Sequence, residues 1–271
     1  MEEMPINSII NEDCLIFIPK YIPDESIDII ITDPPYGISS GNKLSMKNIK
    51  KQQGFGGDWN IMNEDWDTFS FRDYSILIEK MLKESYRVLK PTGTIFVCGT
   101  YHNIGIINYY ALQTNFNIIN EIIWFKRNAF PNLSQKCLTA SHENILWLGK
   151  SDSWNYNYET IKQTSYPFDK LKEPKKQMRS VWDIPNNKEK DELAYRKAFP
   201  DKSYWIMSQK PLRLVDRCLE ITAKPGDIVA DWFSGAGTTL LSTLNHSLSF
   251  IGCEINPNYV EVIRWRLDQL K

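Results

Sequence analysis

Little in this chain is equipped for metal, disulfide or membrane chemistry. Its 271 residues include only three histidines, none at ligand spacing from a cysteine, so no metal site is expected. The five cysteines, Cys14, Cys98, Cys137, Cys218 and Cys253, are scattered, and four lie in or beside apolar runs. That pattern reads as buried, reduced thiols in a cytoplasmic protein rather than a disulfide framework. Apolar runs stop short of the roughly 18 residues a spanning helix needs. Met1-Glu2-Glu3-Met4 has neither a basic flank nor an apolar core behind it, so the chain is expected to be neither secreted nor membrane-bound. Net charge is almost absent, at −1, which excludes bulk attraction to a polyanion but not a local one. Residues 1–122 carry 10 Lys and Arg against 16 Asp and Glu, whereas residues 123–180 carry 10 against 5. A basic segment beside an acidic half suits a phosphate-facing surface, although a solvated loop face would look the same. Length and an ordinary 42% hydrophobic content describe one large globular domain, or one domain with an insert.

What is there centres on Thr32-Asp33-Pro34-Pro35-Tyr36, directly after the apolar run Ile27-Asp28-Ile29-Ile30-Ile31. The run reads as a buried strand, and two prolines, lacking N–H groups, stop it at once. They stiffen a short loop at the strand's carboxyl end, where ligands bind in open α/β sheets, and hold out a carboxylate beside an aromatic ring. A carboxylate and a backbone carbonyl accepting the N–H bonds of a nucleobase amine would localise its delocalised lone pair, while the ring stacks on the base. The same residues would also serve as a plain, proline-capped strand end.

Around this stretch, helical and strand periodicities alternate. Ser8–Ile10 reads as a strand leading into an apolar helix from Asp13-Cys14. Tyr74, Leu77, Ile78, Met81, Leu82, Tyr86 and Leu89 mark an amphipathic helix. Lys90-Pro91-Thr92-Gly93 is expected to end it, before a strand at 94–98. Strand, helix, strand with a right-handed crossover predicts a doubly wound, parallel sheet. Residues 102–115 read as helix, and 117–126 and 143–148 as two further strands at a sheet edge. Between them, 37–67 loses periodicity, holds five of the 13 glycines and is basic in its first half. It reads as a mobile loop facing nucleic acid, or as a surface loop. From 151 to 204, Trp, Tyr, Asn, Lys and Pro dominate without long apolar periodicity, as in an inserted recognition region. Helical spacing returns over 206–222, and Asn256 with Pro257 forms a helix start.

A second site lies near the end of the chain. Asp231-Trp232-Phe233-Ser234-Gly235-Ala236-Gly237-Thr238-Thr239 follows the strand 227–231 and opens a helix, and the next strand ends in Glu254. Glycines permit a tight turn, a helix amino terminus favours a carboxylate, and an acidic residue at that place suits ribose hydroxyls. A dinucleotide is the plain alternative, but only Gly235 and Gly237 match its Gly-x-Gly-x-x-Gly spacing.

Asp33-Pro34-Pro35-Tyr36 resembles the catalytic motif of S-adenosylmethionine-dependent amino-methyltransferases acting on DNA, and the stretch 231–239 resembles that family's cofactor motif. With the catalytic motif first, the chain is similar to the permuted beta group of restriction–modification adenine-N6 methyltransferases. Similar stretches run along nearly the whole chain: Asp13-Cys14, Leu89 to Gly93, Ile123 to Asn128 with Pro131-Asn132 and His142-Glu143, and Gln177 to Trp182. The resemblance implies a doubly wound, mostly parallel, seven-stranded Rossmann-like sheet, circularly permuted, with an inserted target-recognition region. Residues 1–126 would form the catalytic half, 127–204 the recognition region with a sheet strand at 143–149, and 205–271 the cofactor half.

The activity implied is base flipping and direct transfer of methyl from S-adenosylmethionine to N6 of adenine in a short DNA sequence. No Pro-Cys pair is present for carbon-5 chemistry. The catalytic residues would be Asp33, Pro34, Pro35 and Tyr36, and the cofactor residues Asp13, Cys14, Asp33, Lys210, Asp231, Phe233, Ser234, Gly235, Gly237, Thr238 and Glu254. Lys43, Lys47, Arg127, Lys136, Lys175, Lys176 and Arg179 would contact DNA, with solvent exposure the plain alternative for each; His142 and Glu143 read as structural. The partner is DNA, and the family setting allows a cognate restriction endonuclease and a homodimer. An aspartate at the first motif position favours adenine, whereas serine is commoner for cytosine. N4-cytosine methylation stays open, as does a catalytically silent DNA-binding module. Two departures stand out: Trp232 replaces the family's proline and is expected to alter the cofactor pocket, and Ile206-Met207-Ser208 replaces His-Pro-Thr before Gln209-Lys210-Pro211.

Overall fold

The computed structural model describes residues 3–36, 70–129, 131–132, 136–186 and 209–270. In chain order these form β1 (Ser8–Ile10), α1 (Cys14–Tyr21), β2 (Ile27–Thr32), α2 (Phe71–Val88), β3 (Leu89–Gly99), α3 (Ile104–Gln113), β4 (Asn117–Phe125), β5 (His142–Gly149), α4 (Tyr158–Gln163), β6 (Val181–Asp183), α5 (Leu212–Thr222), β7 (Ile228–Asp231), α6 (Thr238–Asn245), β8 (Ser249–Cys253) and α7 (Pro257–Asp268). The strands make one sheet in the order β1-β8-β7-β2-β3-β5-β4-β6. It is parallel except where β5 runs against both β3 and β4.

Alternation along each strand builds two core layers. Ile30, Ile95, Val97 and Ala230 join the cluster beneath α1, α2 and α3, whereas Ile29, Ile31, Phe96 and Val229 join that beneath α5. Across the antiparallel β3–β5 pair, Phe96 lies opposite Trp147 with the rings stacked, 7° from coplanar and 5.4 Å between centroids. Helix α2 buries Tyr74, Ile78, Met81, Leu82 and Ser85 along one stripe, and starts on Ser70, whose hydroxyl oxygen accepts from the Asp73 N–H at 3.1 Å.

The sequence expectations need three corrections. The sheet has eight strands rather than seven, because Val181-Trp182-Asp183 pairs with Ile123-Trp124-Phe125 at the outer edge. Three residues are too few for a periodicity, but Trp182 is 2% exposed and its indole N–H reaches the Arg179 carbonyl. Lys90 to Gly93 does not separate helix from strand: β3 already begins at Leu89, and the extra residues are taken up as an irregularity opposite Ile27–Ile29. Lys90 is held there by Asp28, whose carboxylate also accepts the Ile228 N–H at 2.9 Å, tying β2, β3 and β7 together. Helix α5 begins at Leu212 behind Pro211, later than the spacing suggested; Ile206-Met207-Ser208 lies outside the described residues.

Trp232 borders the central cavity, yet its indole is 1% exposed among the residues beneath α1 and α2 and donates to the Ser85 hydroxyl at 3.0 Å. The bulk that replaces proline is thereby directed into the core. Among the described residues, no helix is long and apolar enough to cross a membrane.

The segment between β5 and α5 is fastened by charge as well as by sheet pairing. Arg217 of α5 meets Asp169 at 2.5 Å with both side chains buried, and its guanidinium lies over the rings of Tyr166 and Trp182. Breaking a buried pair from one side strands the other charge. Asp169→Ala is therefore expected to destabilise the protein by about 3–5 kcal/mol, read as a lowered urea midpoint.

Candidate active site

Strands β2 and β7 are parallel neighbours, paired at Ile29–Val229 and Ile30–Ala230. The chain leaves β2 toward β3 and leaves β7 toward β8, on opposite sides, so their carboxyl ends flank a topological switch point. A cavity of about 350 Å³ lies there, the size of a small-ligand site. Of the predicted residues, Asp13, Cys14, Asp33, Pro35, Lys210, Asp231, Phe233, Ser234, Gly235, Thr238 and Glu254 line it.

The glycine turn is shaped by its own chemistry. Gly235 and Gly237 both have positive φ, at 49° and 76°. A side chain at Gly237 would also come within 2.9 Å of Ile263 on α7, so this residue fixes how closely the turn lies on that helix. The Gly237 N–H bonds the Ser234 carbonyl, and the Ser234 N–H bonds the carbonyl of Cys253 at the end of β8. Glu254 is 7% exposed, with one oxygen on the Gly235 N–H and the other on the Asn256 N–H, both at 2.8 Å. Burial raises its pKa against those bonds. Asp13 caps α1 by accepting from the Leu15 N–H, and Asp13-Cys14 lines the cavity beside the end of β8, where the Cys253 thiol donates to the Glu12 carbonyl and the Glu254 N–H to the Ile10 carbonyl. Burial pushes the Asp231 carboxyl up to about 7, although it accepts from the Phe233 N–H.

The lining includes five carboxylates, Glu12, Asp13, Asp33, Asp231 and Glu254, against one cation, Lys210. That donor set suits a ligand with positive charge and hydroxyls, and opposes a pyrophosphate. S-adenosylmethionine, with its sulfonium, ammonium and ribose, fits it; a dinucleotide does not.

Opposite the glycine turn, Asp33 is the centre of a hydrogen-bonded cluster. Its Oδ1 accepts the Tyr36 hydroxyl at 2.7 Å, and its Oδ2 accepts Lys210 Nζ at 2.5 Å. The ammonium also donates to the Tyr36 hydroxyl at 2.7 Å and lies 5.1 Å from the centre of its ring. Glu143, at the start of β5, stands 3.4 Å from Lys210 and accepts Lys126 at 2.8 Å. Burial and Glu143 raise the pKa of Asp33 against the pull of Lys210. For Glu143, burial is outweighed by Lys210 and Lys126, and its pKa is lowered. Burial lowers the pKa of Lys210, but Asp33 and Glu143 more than reverse it. The Lys210 carbonyl accepts the Thr238 hydroxyl at 3.2 Å, linking the Asp33 cluster to the first residue of α6.

Glu143 and Lys126 were missed as site residues. His142-Glu143 and Lys126 stand at the start and end of an antiparallel strand pair, and only that pairing, Phe125 opposite His142, brings them beside Asp33. Gln209 was missed too; it lines the cavity with its side-chain amide nitrogen buried and unpartnered. Among the expected DNA residues, Lys136, Lys175, Lys176 and Arg179 are exposed. Arg127 is exposed too, and is also paired with Asp183 at 2.7 Å and donates to the Phe168 carbonyl. Lys43 and Lys47 lie outside the described residues.

Residues 27–264 match the family model for N6/N4 DNA methylases. The chain is 33% identical over 269 residues to the type II methyltransferase M.HinfI of Haemophilus influenzae, across 98% of this chain and 69% of that protein. It is 32% identical over 263 residues to the type II methyltransferase M2.DpnII of Streptococcus pneumoniae, across 96% and 89%. Among solved structures, the cytosine-N4-specific PvuII DNA methyltransferase shares the fold, with a TM-score of 0.73 over 97% of this chain and 87% of that one, at 19% identity.

Gly237→Ala tests the turn. The left-handed backbone alone costs a non-glycine residue about 1–2 kcal/mol, and Ile263 must also move. A loss of at least that size in urea denaturation is expected.

Proposed function

The chain belongs to the N6/N4 DNA methylase family, as a DNA methyltransferase of the restriction–modification type, and from that premise we propose that it methylates N6 of adenine within a short recognition sequence. The observation that carries this reading is a carboxylate, Asp33, presented at the carboxyl end of β2 into the same cavity as Glu254 and the glycine turn. A carboxylate rather than a serine hydroxyl at the first position of the motif resembles the adenine-modifying members.

S-adenosylmethionine is the methyl donor, and when bound it supplies a sulfonium-activated methyl group. Glu254 would hold its ribose hydroxyls, the Gly235–Thr238 turn its amino-acid tail, and the Asp13-Cys14 wall its adenine. The residues of this chain then have three tasks. Asp33 and the Pro34 carbonyl accept the two N–H bonds of the target amine, which returns its lone pair to nitrogen and aims it across the cavity. Tyr36 covers the face of the base. The proline pair keeps these acceptors in place, so little reorganisation is needed as positive charge develops on the amine.

The target base leaves the duplex to reach Asp33, at a cost of a few kcal/mol. Residues 127–204, as the target-recognition region, would offset that cost through phosphate contacts from Lys136, Lys175, Lys176 and Arg179. Residues 1–126 serve as the catalytic half and 205–271 as the cofactor half, in the permuted order.

DNA from a methylation-deficient host expressing the protein tests the reading directly. Mass spectrometry of its digested nucleosides is expected to show N6-methyldeoxyadenosine with the native chain, and at least about 100-fold less with Asp33→Ala. N4-methyldeoxycytidine in its place would move the target to cytosine. No modified base from either would overturn the enzymatic reading.

A further inference from the structure

Both oxygens of the carboxylate assigned to the target amine are already occupied: Oδ1 by the Tyr36 hydroxyl and Oδ2 by Lys210. Each oxygen keeps a second lone pair, but a carboxylate already shared by a hydroxyl and an ammonium is a weakened acceptor. The amine therefore gains its full grip on Asp33 only as these donors let go, and a buried ammonium set loose would have to find another anion. We propose that Glu143 is a positioning residue for methyl transfer: it takes over Lys210, and with it the Tyr36 hydroxyl, as the target amine takes over Asp33. The proposal rests on the functional reading above.

The geometry makes Glu143 the natural acceptor. Its Oε1 is held by Lys126 at 2.8 Å, which fixes the carboxylate and leaves Oε2 facing the cluster. That oxygen is 3.2 Å from the Tyr36 hydroxyl and 3.4 Å from Lys210 Nζ. An ordinary charge-assisted bond is about 2.8 Å, so a shift of roughly 0.6 Å completes the exchange. Accessibility gives the exchange its direction. The Asp33 side chain is 27% exposed, against 15% for Glu143 and 9% for Lys210. An incoming amine therefore meets Asp33 first, while Lys210 retreats toward the inner carboxylate. Two cations and two anions make the cluster neutral before the exchange, and no charge is left unpaired after it.

Several ionisable groups face Asp33: Tyr36 on its own loop, Lys210 ahead of α5, Glu143 on β5, Cys98 on β3 and Asp231 on β7, with Lys126, just after β4, behind Glu143. Burial keeps the Cys98 thiol and the Tyr36 phenol neutral through the working range. Asp231 titrates in that range, but it does so in native and variant chains alike.

Glu143→Gln retains the shape and an oxygen for Lys126 but removes the second anion. Lys210 then has Asp33 alone, and the pair between them tightens. The kcat for methyl transfer is expected to fall on the order of 10–100-fold, tenfold for each unit of pKa by which Asp33 is held more strongly. The Kd for S-adenosylmethionine is expected to stay unchanged, because Glu143 is not on the cavity wall. The acid limb of the kcat profile, set by protonation of Asp33, is expected to move to lower pH, since a like charge has gone and a cation has come closer. Glu143→Asp, which withdraws the carboxylate by one methylene, should give a smaller loss and a smaller shift in the same direction. A merely structural role would lower activity without moving the acid limb. An unmoved limb, a limb moved upward, or an undiminished kcat overturns the proposal.

The titration of the Asp33 carboxyl carbon by ¹³C NMR, in the protein without substrate, separates this idea from the functional reading. A lower midpoint in Glu143→Gln supports the coupling even in a chain that methylates no DNA, and an unchanged midpoint overturns it even in one that does.

Discussion

The parallel pairing of β2 with β7 is the constraint on which the site depends. It sets the Asp33 loop against the glycine turn that follows Asp231, and brings Lys210 to Asp33 across 177 positions of sequence. The pairing is secured at the other end of the strands by Asp28, which holds Lys90 of β3 and the first N–H of β7 together. The carboxyl ends are thereby left free of ladder obligations, with one wall able to grip an amine and the other a nucleoside. Each wall is stiffened by a local device, prolines in one and left-handed glycines in the other, and neither device would matter without the sheet that aligns them.

Charge is distributed in the same economical way. The Asp33 wall holds a neutral group of two carboxylates and two ammonium groups, while the wall around Glu254 is strongly acidic. Burying four charges is tolerable only when each finds a partner, and the hydrogen bonds of Lys210 to Asp33 and Tyr36, and of Lys126 to Glu143, meet that demand. The opposing shifts at Asp33, raised, and Glu143, lowered, follow from which cations each faces. Two carboxylates in one cluster are thus differentiated by their neighbours rather than by their chemistry.

How much of this could be read from sequence depended on whether the contact was local. Asp33 to Tyr36, the glycine turn and Asn256-Pro257 announce themselves within a few residues, because proline, glycine and cap chemistry act at short range. Alternating strand and helix periodicities led to a doubly wound sheet, but the strand order, with β5 inserted antiparallel between β3 and β4, had no local signal. Glu143 and Lys126 were illegible because their meaning is created by an antiparallel register between β4 and β5. The partner of Arg127 was equally illegible, since Asp183 is brought alongside by a three-residue strand with no periodicity of its own. Trp232 illustrates the converse: its size suggested a disturbed pocket, and only the Ser85 hydroxyl, on a helix far away in sequence, explains how the core absorbs it.

The acidic lining of the cavity has a consequence for turnover. Sulfonium chemistry leaves behind a neutral thioether of almost the same outline, so walls that attract the fresh donor lose much of their grip on the spent one. Asp231, pushed up to about 7 by burial, sharpens the contrast: a nearby cation favours its ionised form, and loss of that cation favours its protonated one. The acidity of the chamber thus favours exchange of the spent nucleoside for a fresh one.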